Sequence, residues 1–338
     1  MELKKFWQTK MFLRSLYRKI PENIRYKYFS PIISHLMEKY RSFKWREKRV
    51  CNGSENPDKT FYVIRYRFMG GIFGLMGYYI PQIQYALNKG YIPIIDLQNM
   101  PNMYLEADKL GKQNAWEYYF EQPCGYTLKD IEHSKNVILG NAGRISTKKK
   151  NLSRIIFDDK EMRVWHETFS KNVRMNETVK NYCEEQYSKL ITDNDIVLGV
   201  LSRGTDYINN KPHNHPVQPE PEQIIRKTSE FMQKYGCNKI FLATEDKRIW
   251  DVFHAEFGDK VITNDHKLFE DTGNTYLPYV KLERENGKYL AGIEYLATIN
   301  ILSRCPYLVA GNCGGSQAAM YITEGYKNSF IFDLGLYK

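Results

Sequence analysis

The sequence predicts an α/β protein of two Rossmann-like domains facing a cleft, preceded by a basic helical arm. Three observations predict it. Short apolar runs alternate with longer amphipathic segments from residue 60 to the end of the chain. That alternation occurs twice, on either side of a long helical stretch at 158–190. The first 49 residues carry 14 Lys/Arg against four Glu, which is the whole net charge of +10, while the rest balances 35 basic against 35 acidic residues. Strands alternating with helices give a parallel sheet covered on both faces, and 338 residues are enough for two such units. The expected units are 1–50, 60–190 and 191–338.

In the arm, Phe6, Leu13, Leu16, Tyr17 and Ile20 fall near one helical face, with Lys4, Lys10, Arg14 and Arg18 interleaved. Pro21 stops the first segment. A helix of this kind suits an anionic membrane surface, at about 1 kcal/mol per well-placed cation. The polar stretch "CNGSENPDK" links it to the body.

The body opens with "TFYVIRYRF", read as a strand, then a glycine-rich turn entering the helix of "MGGIFGLMGYYIPQIQYALNKG", then the strand "YIPIID". "NAWEYYFEQP" reads as an aromatic helix and "SKNVILG" as a strand. In the second half "DIVLGVLS" is a strand followed by a polar loop, 203–218. "PEPEQIIRKTSEFMQKYG" is a helix with proline near its start and glycine at its end. Further strands fall on "CNKIFLAT", "KVIT", "PYLVAG" and "SFIFD", and helices on "EDKRIWDVFHAEFG", "KYLAGIEYLATINILSRC" and "GSQAAMYITEG".

The composition removes several function classes. The body has no basic excess, which excludes nucleic-acid binding as its main task. Six cysteines without a CxxC pair read as free thiols of a reducing, cytoplasmic setting. No apolar run reaches the roughly 18 residues that span a bilayer. No metal is expected. "HNH" at 213–215 lacks a third ligand at a recognisable spacing, and "DND" at 193–195 precedes its strand. "GGIFGLMG" is neither GxGxxG nor a Walker loop, although Asp96 at the next strand end leaves a dinucleotide site as a rival.

Ligands of parallel α/β sheets bind outside the carboxyl ends of the strands. Three such ends carry polar chemistry: Ser202-Arg203-Gly204-Thr205-Asp206, Thr244-Glu245-Asp246, and Gly311-Asn312-Cys313-Gly314-Gly315-Ser316-Gln317 running into a helix. A guanidinium grips phosphate bidentately, and helix-start amides bind it. Carboxylates accept hydrogen bonds from a base or a sugar. The combination reads as a nucleotide-diphosphate site.

"GVLSRGTD…HNHPVQP", "IFLATEDKRIWDVF" and "LSRCPYLVAGNCGGSQAAMYI" together resemble the three motifs of the α1,6-/O-fucosyltransferase superfamily, over roughly residues 195–325. The resemblance implies a GT-B fold, a nucleotide sugar, GDP-fucose, as donor, inversion at the anomeric carbon, and no cofactor or required metal. By position it implies that Arg203 holds the donor β-phosphate, that Asp206 closes the first motif, that Asp246 is the second acid of the second motif, and that Ser316 and Gln317 lie at the diphosphate. Thr205, Thr244, Glu245 and Gly315 complete the expected donor site, and Gly71, Phe73 and Gly74 the acceptor side. His215, His213 or a carboxylate of the first domain is the expected base.

This chain departs from the family pattern at four residues and in a glycine loop that is about two residues longer. Leu201 stands for a histidine, Gly204 for a second arginine, Lys211 for a glutamate and Pro306 for an aspartate. The resulting expectation is a glycosyltransferase acting on a glycan or lipid-linked glycan at the inner membrane face. The alternatives are a different nucleotide sugar, a non-catalytic homologue, or an NAD-dependent enzyme built on residues 60–97.

Overall fold

The computed structural model describes residues 43, 45–66, 69–142, 152–204, 206–270, 273, 275–280 and 283–338. Most of the expected basic arm lies outside the described residues. Its last residues do not continue a helix: Lys48–Val50 form strand β1.

The first half is a four-stranded sheet. Its strands are β1, β2 (Phe61–Arg65), β3 (Ile92–Asp96) and β4 (Val137–Leu139), in the order β1-β4-β2-β3. The last three run parallel, and β1 closes the edge antiparallel to β4. Helix α1 (Ile72–Asn88) makes the crossover from β2 to β3 and passes through Pro81. The segment read as an aromatic helix, 114–123, is instead a run of turns. Asn114 explains the difference: its side chain accepts from the amides of Leu97 and Trp116 and donates to the Ile95 carbonyl. A side chain that bonds nearby backbone in this way competes with the helix ladder.

Helices α2 (Asp159–Asn172) and α3 (Glu177–Leu190) fill the expected helical stretch. Asp158 and Asn176 cap them by accepting first-turn amides.

The second half is a five-stranded, wholly parallel sheet. Its strands β5 (Val197–Leu201), β6 (Lys239–Ala243), β7 (Val261–Ile262), β8 (Tyr307–Gly311) and β9 (Asn328–Phe332) lie in the order β7-β6-β5-β8-β9. The expected loop at 203–218 contains one short helix, α4 (Asp206–Asn210). The crossovers are α5 (Pro221–Tyr235), α6 (Lys247–Phe257), α7 (Gly287–Arg304) and α8 (Gly314–Ile322). Gly236 ends α5 at φ 65°, where only glycine is unstrained.

Alternate residues of the strands serve two cores. Leu198 and Val200 of β5, with Ile240 and Leu242 of β6, pack under α5 and α6. Val197, Leu201, Phe241 and Ala243 join the cluster on the opposite face. That cluster also holds Ile64, Leu75 and Ile95, so the two halves share one continuous core. Each Leu or Ile so buried contributes roughly 1.5–3 kcal/mol.

The strand order reverses between β5 and β8. In an open parallel sheet this switch point opens a crevice beyond the carboxyl ends of the strands.

Candidate active site

The strand register assembles the site. Leu201 is level with Ala243 on one side and Ala310 on the other. The residues two positions further on, Arg203, Glu245 and Asn312, therefore leave the same edge of the sheet together.

Glu245 anchors the first of these loops. Its Oε1 accepts from the Gly204 amide at 3.1 Å and lies 3.5 Å from Arg203 Nε. Both side chains are about one-fifth exposed, Arg203 at 22% and Glu245 at 19%, so the charge of the ion pair is only partly screened by water. The Arg203 guanidinium also lies over the Tyr207 ring, 4.8 Å from its centroid. The Tyr207 hydroxyl meets His215 Nδ1 at 3.0 Å. The residue is exposed overall, and partial desolvation of its ring lowers the His215 pKa from its ordinary value. Tyr207 was missed in the sequence because its role depends on the turn of α4, which folds it back over the preceding strand end.

Thr205 lies outside the described residues, and of Asp206 the structure describes its place at the start of α4. Lys211 follows that helix with a left-handed φ of 41° and is exposed. His213 is exposed as well.

Asp246 is only 1% exposed and caps α6. Its Oδ1 accepts from the Arg248 amide at 2.9 Å and Nε at 3.0 Å, and its Oδ2 from the Arg248 guanidinium at 2.7 Å. Gly204 packs directly on it: a Cβ there would stand 2.4 Å from the Asp246 Cβ. A side chain at position 204 would thus require Asp246 to shift. Thr244 is buried, and its hydroxyl accepts from the Asp246 amide at 3.2 Å.

The third loop enters α8. Ser316 is fully buried, accepts from the Cys313 amide at 2.9 Å and donates to the Cys313 carbonyl at 3.0 Å. Gln317 reaches Asn312 Oδ1 at 3.2 Å. Gly314 and Gly315 stand at the first positions of α8, where a helix leaves its own amides unpaired.

The glycine turn of the first half meets this helix start. A Cβ on Gly314 would lie 3.5 Å from the Gly74 nitrogen and 3.6 Å from the Phe73 carbonyl carbon. Gly71 caps α1, Phe73 is buried and Gly74 is exposed. Among the described residues, two groups that the rival dinucleotide reading would use have partners within the protein. The Ile72 amide donates to the Tyr104 hydroxyl at 2.6 Å, and Asp96 is engaged by the Gln98 and Asn99 amides at 3.0 and 2.9 Å. Asp195 of "DND" is likewise structural, bonded to Thr192 and to Lys239 at 2.9 Å. Among the described residues no three His, Cys, Asp or Glu side chains gather as a metal site, and no helix is long and apolar enough to cross a membrane.

A wholly parallel five-stranded sheet and a second, four-stranded sheet that shares its core make this a mixed α/β fold similar to that of GT-B fucosyltransferases. The solved structure of POFUT1 in complex with GDP-fucose superposes with a TM-score of 0.50 at 10% identity, over 83% of this chain and 100% of that one. Fucosyltransferase NodZ from Bradyrhizobium reaches 0.48 at 13% identity, over 82% and 96%. NodZ α-1,6-fucosyltransferase soaked with GDP-fucose reaches 0.48 at 14%, over 82% and 96%. At 10% identity the likeness to POFUT1 shows the fold alone. No protein-family model and no curated protein matches the chain.

Proposed function

We propose that the protein is an inverting, metal-independent glycosyltransferase that moves fucose from GDP-fucose onto a glycan acceptor. The supporting observation is the register that sets Arg203, Glu245 and the start of α8 along one edge, facing the glycine turn of the first half. In this proposal residues 191–338 hold the donor and residues 60–190, through Gly71, Phe73 and Gly74, the acceptor.

As the sugar–phosphate bond breaks, the electron pair passes to the diphosphate. Arg203 and the Gly314 and Gly315 amides stabilise charge where it develops, the work that a divalent ion does elsewhere. Ser316 and Gln317 fix the loop that presents those amides. His215, held by Tyr207, takes the proton of the attacking hydroxyl. Asp206 closes the first motif beside the sugar. Glu245 orients Arg203 through their ion pair. Asp246 reads the guanine edge, with the exposed Arg248 giving way. The basic arm holds the enzyme on the inner membrane face, where lipid-linked glycans for the cell surface are assembled.

One observation favours a second reading, transfer from a different nucleotide sugar: both Asp246 oxygens are taken by Arg248. Incubation with GDP-fucose, UDP-, dTDP- and CMP-sugars and a glycan mixture, with and without EDTA, tests both. Transfer from GDP-fucose that survives EDTA is expected. Transfer only from another sugar nucleotide selects the second reading, and turnover that stops with EDTA and returns with Mn²⁺ refutes the mechanism.

A further inference from the structure

Tyr295 lies where the two halves meet, and neither the motifs nor the fold comparison assigns it a part. It projects from α7, which is fixed to the first half one turn earlier. Gly292 leaves room there for Tyr119, whose hydroxyl would stand 2.1 Å from a Cβ at that position and donates to the Tyr289 carbonyl at 2.9 Å. Tyr295 stands three residues further along the helix. Its ring packs edge-on against Phe73, with centroids 5.3 Å apart, and its Cε1 would lie 3.9 Å from a Cβ on Gly71. Its hydroxyl reaches the start of α8, where a Cβ on Gly315 would stand only 2.7 Å away. One side chain thus spans from the glycine turn of the first half to the helix start of the second.

The hydroxyl is set among charged groups. Burial, with Cys313 and Glu245 adding to it and Arg203 opposing it, holds the phenol well above its ordinary pKa. It remains a neutral donor at every working pH. Among the described residues it has no hydrogen-bond partner, and the residue is half-buried. A donor that stays protonated, lacks a partner of its own and lies beside a residue of the first turn of a helix is suited to an anionic oxygen.

We propose that Tyr295 is a catalytic residue whose hydroxyl donates a hydrogen bond to the departing diphosphate, beside Arg203 and the Gly315 amide. This rests on the glycosyl-transfer reading above. The sugar–oxygen bond breaks with its electron pair going to the diphosphate, the acceptor oxygen forms the new bond, and its proton goes to the base. Tyr295 keeps its own proton throughout. It follows that Tyr295 favours the leaving group over the intact donor, since only the former bears the full terminal charge.

The test is Tyr295→Phe, which keeps the ring against Phe73 and Gly71. The expected kcat is about 100-fold lower, with the acceptor KM unchanged. GDP binding weakens by about tenfold or more, whereas GMP, which lacks the second phosphate, binds as before. An unchanged kcat and GDP affinity overturns the proposal. So does an equal loss for GDP and GMP, which marks a structural disturbance. A wild-type chain that binds no GDP overturns the proposed function instead.

Discussion

The guanidinium carbon of Arg203 lies 4.8 Å from the centre of the Tyr207 ring, and the hydroxyl of that ring meets His215. One tyrosine therefore connects the cation assigned to the leaving group with the base assigned to the acceptor. Truncating Arg203 to alanine removes a partly desolvated charge contact worth about 2–5 kcal/mol, roughly 30- to several-thousand-fold in kcat/KM. Arg203→Lys recovers only part, because the bidentate fork is lost. Steady-state kinetics on folded variants check this, and near-wild-type transfer by Arg203→Ala removes the leaving-group role.

The pH profile tests His215. Its neutral ring is the base, and partial desolvation lowers its pKa below 6.5, so the competent form persists into more acidic solution. The kcat/KM profile should be flat at alkaline pH and fall on the acid side with a midpoint below 6.5. The same group contributes stability that is full above its unfolded value and is lost as pH falls through its folded one. His215→Gln should abolish the acid limb with most of the activity. Tyr207→Phe should keep donor affinity and lower kcat, since the ring stays on Arg203 while the bond to His215 is gone. A midpoint above 6.5 contradicts the assignment.

Gly204→Arg restores the arginine of the family motif, and we expect it to harm the protein. A Cβ at 204 stands 2.4 Å from that of Asp246. Overpacking of this kind costs about 1–3 kcal/mol before the longer side chain is placed. Chemical denaturation of Gly204→Ala and Gly204→Arg measures it; undiminished stability in both would show that the loop gives way freely.

Nucleotide preference tests Asp246. A carboxylate accepts the paired N–H donors of guanine and repels the carbonyl oxygens of uracil or thymine, at about 1–3 kcal/mol per group left unpaired. GDP should raise the melting temperature more than UDP, dTDP or CDP does. Asp246→Asn should erase that difference at a modest cost in stability, because Asn caps a helix as well as Asp but loses the ion pair to Arg248. Equal shifts from GDP and UDP in the wild type would end the guanine assignment.

Truncation of the arm must respect β1. Removing residues 1–49 cuts into the edge strand Lys48–Val50, whereas removing 1–42 leaves it paired with β4. The shorter deletion should melt like the full chain and lose binding to anionic vesicles. Vesicle binding that survives in a folded truncate places the membrane contact elsewhere.

By itself the sequence determined the nine-element rhythm of the second half and the three strand ends that carry its chemistry. Short apolar runs such as "IVLGVL" and "IFLA", alternating with amphipathic segments, read as buried parallel strands, and Pro221 and Gly236 bracket their helix by backbone geometry alone. Arg203, Glu245 and the glycines that open α8 were legible for the same reason, since the ends of buried parallel strands are where a sheet places its ligands. The tertiary structure decided what those groups touch. Asn114 turned an aromatic "helix" into turns by bonding strand backbone, and Asp246 met a guanidinium two residues on instead of open solvent. Tyr207 reached back to Arg203, and Tyr295 was brought to Gly315 by helix packing across the two halves. Hydrophobic period is a local property that one segment displays alone. Register, close approach and shared charge arise only when distant segments are packed together, so no window of sequence contains them.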